Sequence, residues 1–232
     1  MRRTKIITTL GPATDDAGVM RRLIDAGVDV VRINFSHGNW ADHERRVAVV
    51  RQVATEAGRY VAILGDLQGP KIRIQRFRNG SVTLKEGQEF VLDPTMPADA
   101  GDEQGVGVAY ANLPKDVHPG DTLLLDDGQI RLSDGAVAGS RVVCTVQVGG
   151  ELGDKKGINR QGGGLSAPAL DDKDREDLAH AARLDFDWLA VSFVRSAADL
   201  HEARQCLRDV DSEIHLIAKI ERVEAVDTLK AI

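Results

Sequence analysis

Apolar and polar positions along this chain follow two different rhythms. Residues 5–10 (KIITTL) form a short β-branched run, and residues 15–26 continue with helical spacing, with Thr14 as candidate N-cap and Gly27 as stop. A second apolar run at 29–35 (DVVRINF) leads into a helical stretch at 40–57 that ends at Gly58, and a third run occupies 61–67 (VAILGDL). From residue 71 to about residue 150 the helical spacing disappears. KIRIQRF, SVTLKEG, EFVLD, TLLLDDGQIRL and RVVCTVQV read as short strands separated by Gly, Asp, Asn and Pro turns. This is an all-β insertion, a small barrel or sandwich, in which the acidic segment 94–105 is expected to be a mobile loop. The first rhythm returns after the glycine-rich residues 161–165, with helices at 171–183 and 197–209, strands at 188–193 and 214–220, and a further helix starting within 222–232.

Strands alternating with helices predict an α/β fold with a parallel sheet, either doubly wound or closed as a (β/α)8 barrel. The insertion leaves the end of the third strand, where barrels carry their functional loops, and polar residues gather at the C-terminal ends of several strands. Both features favour an incomplete (β/α)8 TIM-type barrel, since such a barrel needs about 250 residues before any insertion. The expected domains are 1–69 (barrel strands 1–3), 70–156 (the inserted β domain) and 157–232 (barrel strands 4–5).

Composition narrows the function more than the fold. The chain has 232 residues and a net charge of −6, a balance that speaks against a nucleic-acid footprint. No apolar run is long enough to span a bilayer. The basic start at residues 1–5 lacks a signal-peptide core, so the cytoplasm is the expected location. Cys144 and Cys206 are too far apart in sequence to suggest a disulfide framework, and the histidines show no zinc spacing.

The chemistry lies in charges placed where burial makes them costly. Arg32 and Asn34 interrupt an apolar strand and are followed by Ser36, His37 and Gly38. Asp66 ends the third strand, Arg73 lies just beyond it, and Lys219 and Glu221 flank Ile220 after the fifth. A parallel barrel brings these positions to one rim. Cations with carboxylates there suit a substrate phosphate and a divalent metal, because an unpaired buried charge is expensive. Taken singly, each could equally be one half of an ion pair that holds the rim together. His37 could be a turn residue bonding locally. Gly162–Gly164 lacks phosphate-loop spacing and reads as a connector, and Lys155 and Lys156 could be a solvated pair.

Five ordered motifs resemble the pyruvate kinase family: TKIITTLGPAT (4–14), VRINFSHG (31–38), GDLQGPKIR (65–73), LGDKKGIN (152–159) and IAKIE (217–221). The likeness covers essentially the whole chain. It implies a (β/α)8 barrel with an inserted β-barrel lid that closes over the site, and phosphoryl transfer from phosphoenolpyruvate to ADP, giving pyruvate and ATP. By the same resemblance Arg32 binds the substrate phosphate, and Lys219 neutralises the moving phosphoryl group and the forming enolate. Glu221 holds Mg²⁺ (or Mn²⁺). Asn34, Ser36, Asp66 and the Leu67 carbonyl match a monovalent-cation site. Asn34, Phe35, Ser36, His37, Arg73 and Lys156 match nucleotide contacts. Relatives are commonly homotetramers.

Two departures qualify the resemblance. Many members carry Glu where this chain has Lys71, and Lys there goes with K⁺-independence, an ammonium supplying the charge of the cation. The chain also ends after strand five, before a second metal-binding Asp and a Thr near the proton-transfer step. The expectation is therefore a truncated chain, poorly stable and essentially inactive alone. Two other readings stay open: another Mg²⁺-dependent pyruvate or phosphoenolpyruvate barrel enzyme of lyase or aldolase type, and a non-catalytic truncated relative.

Overall fold

A computed structural model describes residues 3–70 and 72–232. In chain order the strands are β1 (Ile7–Thr9), β2 (Val30–Asn34), β3 (Ala62–Asp66), β4 (Ser81–Leu84), β5 (Glu89–Asp93), β6 (Gly105–Gly107), β7 (Thr122–Leu125), β8 (Ile130–Ala138), β9 (Arg141–Val148), β10 (Gly150–Gly153), β11 (Ile158–Arg160), β12 (Trp188–Val191) and β13 (His215–Ala218). The helices are α1 (Ala17–Asp25), α2 (Trp40–Glu56), α3 (Leu113–Asp116), α4 (Asp172–Arg183), α5 (Ala197–Arg208) and α6 (Val223–Asp227). The chain divides into two compact units, Met1–Pro70 with Pro168–Ile232, and Lys71–Ala167.

The first unit is built on a five-stranded sheet in the order β1-β2-β3-β12-β13. Every pairing in it is parallel, and strands that follow each other within the unit are neighbours. A doubly wound sheet would reverse direction partway, so the sequential order follows barrel topology. Register matters most for the site. Asn34 pairs with Asp66, Asp66 with Ala190, and Val191 with Ala218, so the carboxyl ends of four strands lie level.

Helix boundaries follow capping chemistry. Asn39 accepts a hydrogen bond from Asp42 N at 3.0 Å and opens α2, and Asp171 accepts from Asp174 N at 2.8 Å and opens α4. Val47, Val50, Val53 and Ala54 of α2 are buried with Ile33, Ile63, Leu189 and Val191 of the sheet in one apolar core. The expected helix stops at Gly27 and Gly58 hold. The expected cap at Thr14 does not. Thr14 closes a short 3₁₀ turn by donating to Gly11 O at 2.8 Å, and the Asp16 carboxylate caps α1 by accepting from Val19 N at 2.9 Å. The helix expected within 222–232 is the short α6.

The second unit is all-β apart from α3 and a 3₁₀ turn at Asp126–Gly128. It holds a six-stranded sheet, β11-β7-β8-β9-β5-β6, and the antiparallel pair β10-β4. Phe90, Leu92, Leu123, Leu125, Leu132 and Val142 belong to its separate core. This unit runs past the 156/157 boundary expected from the sequence, because β11 pairs with β7 and keeps residues 158–160 in the sheet. Segment 94–105 is also pinned more firmly than expected. Arg76 N donates to Ala98 O at 2.8 Å, and Gly101 N donates to Arg76 O at 3.1 Å. Among the described residues no helix is long and apolar enough to cross a membrane, and no disulfide joins Cys144 to Cys206.

Candidate active site

The carboxyl end of the parallel sheet gathers charge around one buried carboxylate. Asp66, the last residue of β3, is 4 % exposed. Its Oδ2 accepts from Arg32 Nε at 2.7 Å and from Arg32 Nη2 at 2.5 Å. Its Oδ1 accepts from Lys219 Nζ at 3.2 Å and from the Ser192 hydroxyl at 3.4 Å. One buried anion thus holds a guanidinium from β2 and an ammonium from the residue after β13, a pairing that offsets its desolvation. Arg32 Nη1 also donates to Thr9 Oγ1 at 3.0 Å, drawing β1 into the network.

Lys219 is the busiest cation. Its ammonium reaches Asp66, donates to Ser192 Oγ at 2.9 Å, and lies 3.3 Å from Glu221 Oε1. All three N–H directions therefore have protein partners. The other Glu221 oxygen accepts from Phe193 N at 3.0 Å. Phe193 has φ +55, a backbone region unusual for an aromatic residue, and that conformation accompanies an N–H pointed at Glu221.

The expected loop residues separate into two kinds. Asn34 turns its Oδ1 to Ser36 N at 3.0 Å, and His37 N donates to Asn34 O at 3.2 Å, which closes a tight turn after β2. The His37 carbonyl accepts from His43 Nε2 at 2.9 Å, so that nitrogen carries the proton. Phe35 points the other way. Its ring is 2 % exposed and packs near Trp40, His43 and Phe186, so it leaves the rim only its backbone. Gly65 makes room for this, since a side chain there would meet the Phe35 ring at 2.8 Å. The Leu67 carbonyl accepts from Ser192 Oγ at 2.6 Å. Arg73 and Lys156 belong to the second unit, where Arg73 Nη1 donates to Lys155 O at 2.7 Å and Lys156 pairs with Asp126 at 2.9 Å. Lys71 lies outside the described residues.

The donors available fit a divalent cation in a limited way. Among the described residues no group of three or more His, Cys, Asp or Glu side chains could hold a metal. Glu221, with 36 % of its side chain exposed, is a single accessible carboxylate. That matches Mg²⁺, which is commonly held by one or two carboxylates plus phosphate oxygens and water. The Asn34 amide oxygen and the Leu67 carbonyl each accept a protein hydrogen bond and keep capacity for another partner, whereas both Asp66 carboxylate oxygens already accept two.

The sequence reading missed several residues that the fold recruits. Ser192 (2 % exposed) links Lys219, Asp66 and Leu67. Lys173 donates to Phe35 O at 3.0 Å, and Asp174 accepts from Gly69 N at 3.0 Å. Burial pushes the Asp174 carboxyl up to about 6, against the two backbone N–H groups that favour its ionised form. Burial also raises Asp177, opposed by its partner Lys173.

Comparison with known proteins identifies the family. A family profile described as "Pyruvate kinase, barrel domain" matches residues 1–232. The chain is 52 % identical over 226 residues to "Pyruvate kinase II" of Salmonella typhimurium, covering 97 % of this chain and 47 % of that protein. It is 49 % identical over 226 residues to a "Pyruvate kinase" of Haemophilus influenzae, with the same coverage, 97 % and 47 %. The crystal structure of a pyruvate kinase from Cryptosporidium parvum superposes with a TM-score of 0.91 at 32 % identity, covering all of this chain and 48 % of that one. The chain thus spans about half the length of these relatives. A full-length profile match, high identity to curated relatives and a common fold carry one conclusion: this chain belongs to the pyruvate kinase family.

Proposed function

We propose that this chain carries the phosphoenolpyruvate-binding half of a pyruvate kinase site, on the first five strands of a (β/α)8 barrel. The reaction breaks the phosphorus–oxygen bond of phosphoenolpyruvate and forms a new one to the terminal phosphate of ADP. The enolate left behind takes up a proton to give pyruvate. The observation that carries the reading is the convergence of Arg32, Lys219 and Glu221 around Asp66. Two cations on one buried carboxylate are pre-oriented toward an anion without a covalent nucleophile, which is what phosphoryl transfer requires.

In this role Arg32 holds the substrate phosphate, and Lys219 stabilises charge on the phosphoryl group and the enolate oxygen. Glu221 would hold Mg²⁺ (or Mn²⁺), which when bound supplies Lewis-acid stabilisation of the anionic oxygens. Release of Glu221 from Lys219 would leave one ammonium N–H free for a phosphoryl oxygen. The turn at Asn34, Ser36 and His37 and the Phe35 backbone would contact the nucleotide. Asn34, Ser36, Asp66 and the Leu67 carbonyl remain the proposed monovalent-cation site, with Lys71 substituting for K⁺.

ATP formation from phosphoenolpyruvate and ADP tests the reading, on the chain alone and on the longest open frame that contains it. In the active form Lys219→Met is expected to lower kcat by about 10³ with the fold intact. Aldol cleavage or lyase activity in place of ATP formation would overturn the assignment. Titrating KCl in a sodium-free, Tris-buffered assay is expected to stimulate the rate by less than about tenfold. A larger response rules out K⁺-independence.

A further inference from the structure

Two adjacent residues in the first turn of α4 each reach a different loop of the site. Asp174 is fully buried, with one oxygen accepting from Gly69 N at 3.0 Å and the other from Asp171 N at 3.1 Å. Lys173 donates to the Phe35 carbonyl at 3.0 Å and to Asp177 Oδ2 at 2.6 Å. Gly69 lies in the segment that follows β3, beyond Asp66, Leu67 and Gln68, and Phe35 directly follows Asn34 at the end of β2.

The contact at Gly69 continues toward the chemistry. Gly69 adopts φ +63, and a side chain there would meet the Phe193 ring at 2.8 Å and Ser192 Cβ at 3.0 Å. Its α-carbon is thus the seat of the Ser192–Phe193 segment. Phe193 N in turn holds Glu221, and Ser192 Oγ holds Lys219 and Leu67. A buried N–H that loses its acceptor must find another or shift, so the seat depends on the Asp174 carboxylate.

We propose that Asp174 and Lys173 are positioning residues for the phosphoryl-transfer site. Asp174 sets the β3 loop and, through Gly69 and Phe193, the Glu221 carboxylate. Lys173 sets the backbone turn that follows β2. The proposal rests on the pyruvate kinase reading for its consequences, but its geometry stands apart from that reading. It predicts a division of labour between two neighbouring side chains that general destabilisation would not produce.

The test compares wild-type protein with Asp174→Asn and Lys173→Met by site-resolved amide hydrogen exchange, Mn²⁺ binding read by electron paramagnetic resonance, and steady-state kinetics. Asp174→Asn is expected to speed exchange at Gly69 and Phe193 and to weaken Mn²⁺ binding by about tenfold, with the KM for ADP unchanged. Lys173→Met is expected to speed exchange at Ser36 and His37 and to raise the KM for ADP, with Mn²⁺ binding unchanged. Equal changes in both variants, or exchange at these amides like that of the wild type, would overturn the proposal. Should Asp174→Asn fail to fold, wild-type exchange decides: Gly69, though in a loop, must be protected like a sheet amide. Local exchange effects in a protein that forms no ATP would overturn the kinase reading and leave the clamp standing.

Discussion

At the scale of single residues, Asp66 organises the site. It is buried, and its oxygens are engaged by one cation from the adjacent strand β2 and another from the residue after β13. Asp66→Asn would leave Arg32 and Lys219 facing each other without their shared anion. Removing one partner of a buried ionic group commonly costs about 3–5 kcal/mol, and partial exposure of both cations places this one near the lower end. Urea unfolding of the variant should show a loss of about 3 kcal/mol; a loss below about 1 kcal/mol would mean that solvent already screens the cluster. Arg32, Asn34, Asp66, Lys219 and Glu221 were legible in the sequence because charge or amide inside an apolar run demands a reason. Ser192 and Thr9 were not, since a small hydroxyl fits a strand end at little cost and signals nothing until its partners arrive from other strands.

At the scale of elements, α4 carries a buried carboxyl, Asp174, that makes the stability of the first unit depend on pH. The Asp174 carboxyl sits near 3.8 in an unfolded chain and at about 6 in the folded one. The folded state therefore binds more protons between those values. The resulting stabilisation is complete below about 3.8 and is lost as pH rises through 6. Asp171 and Asp177, the acidic neighbours on the same helix and its cap, push in the same direction. Relative to Asp174→Asn, the wild type should lose about 2 kcal/mol of stability between pH 4.5 and pH 7, measured by denaturant unfolding at both. A flat difference would place the Asp174 titration elsewhere. Helix existence was legible from periodicity and caps, whereas the start of α1 was not. Thr14 and Asp16 are both good caps, and the choice fell to Asp16 because Thr14 closes the turn with Gly11.

At the scale of the molecule, two cores within one chain imply two cooperative units. Residues 71–167 have their own buried apolar cluster and sheet, so that segment expressed alone should fold with a single sigmoidal transition followed by circular dichroism. A featureless melt would show that its stability depends on the first unit. In the first unit the outer strands β1 and β13 leave Ile7 and Ile217 exposed, 56 % and 38 %. Unpaired parallel edges with apolar side chains invite association. Sedimentation velocity should show concentration-dependent oligomers, and Ile7→Lys should reduce them.

The sequence by itself determined the alternation of strands and helices, the all-β insertion, the family motifs and the charged positions that do not belong in apolar strands. These are local or patterned properties, set by periodicity and by the cost of burying charge. Only the tertiary structure decided which of those charges share a partner, because register between strands distant in sequence places Asn34 beside Asp66 and brings Lys219 to the same rim. It also decided that Phe35 packs inward, that β11 extends the β unit beyond residue 156, and that one turn of α4 reaches two loops. Those outcomes depend on long-range packing, in which a residue's role is set by neighbours that its own segment of sequence does not contain.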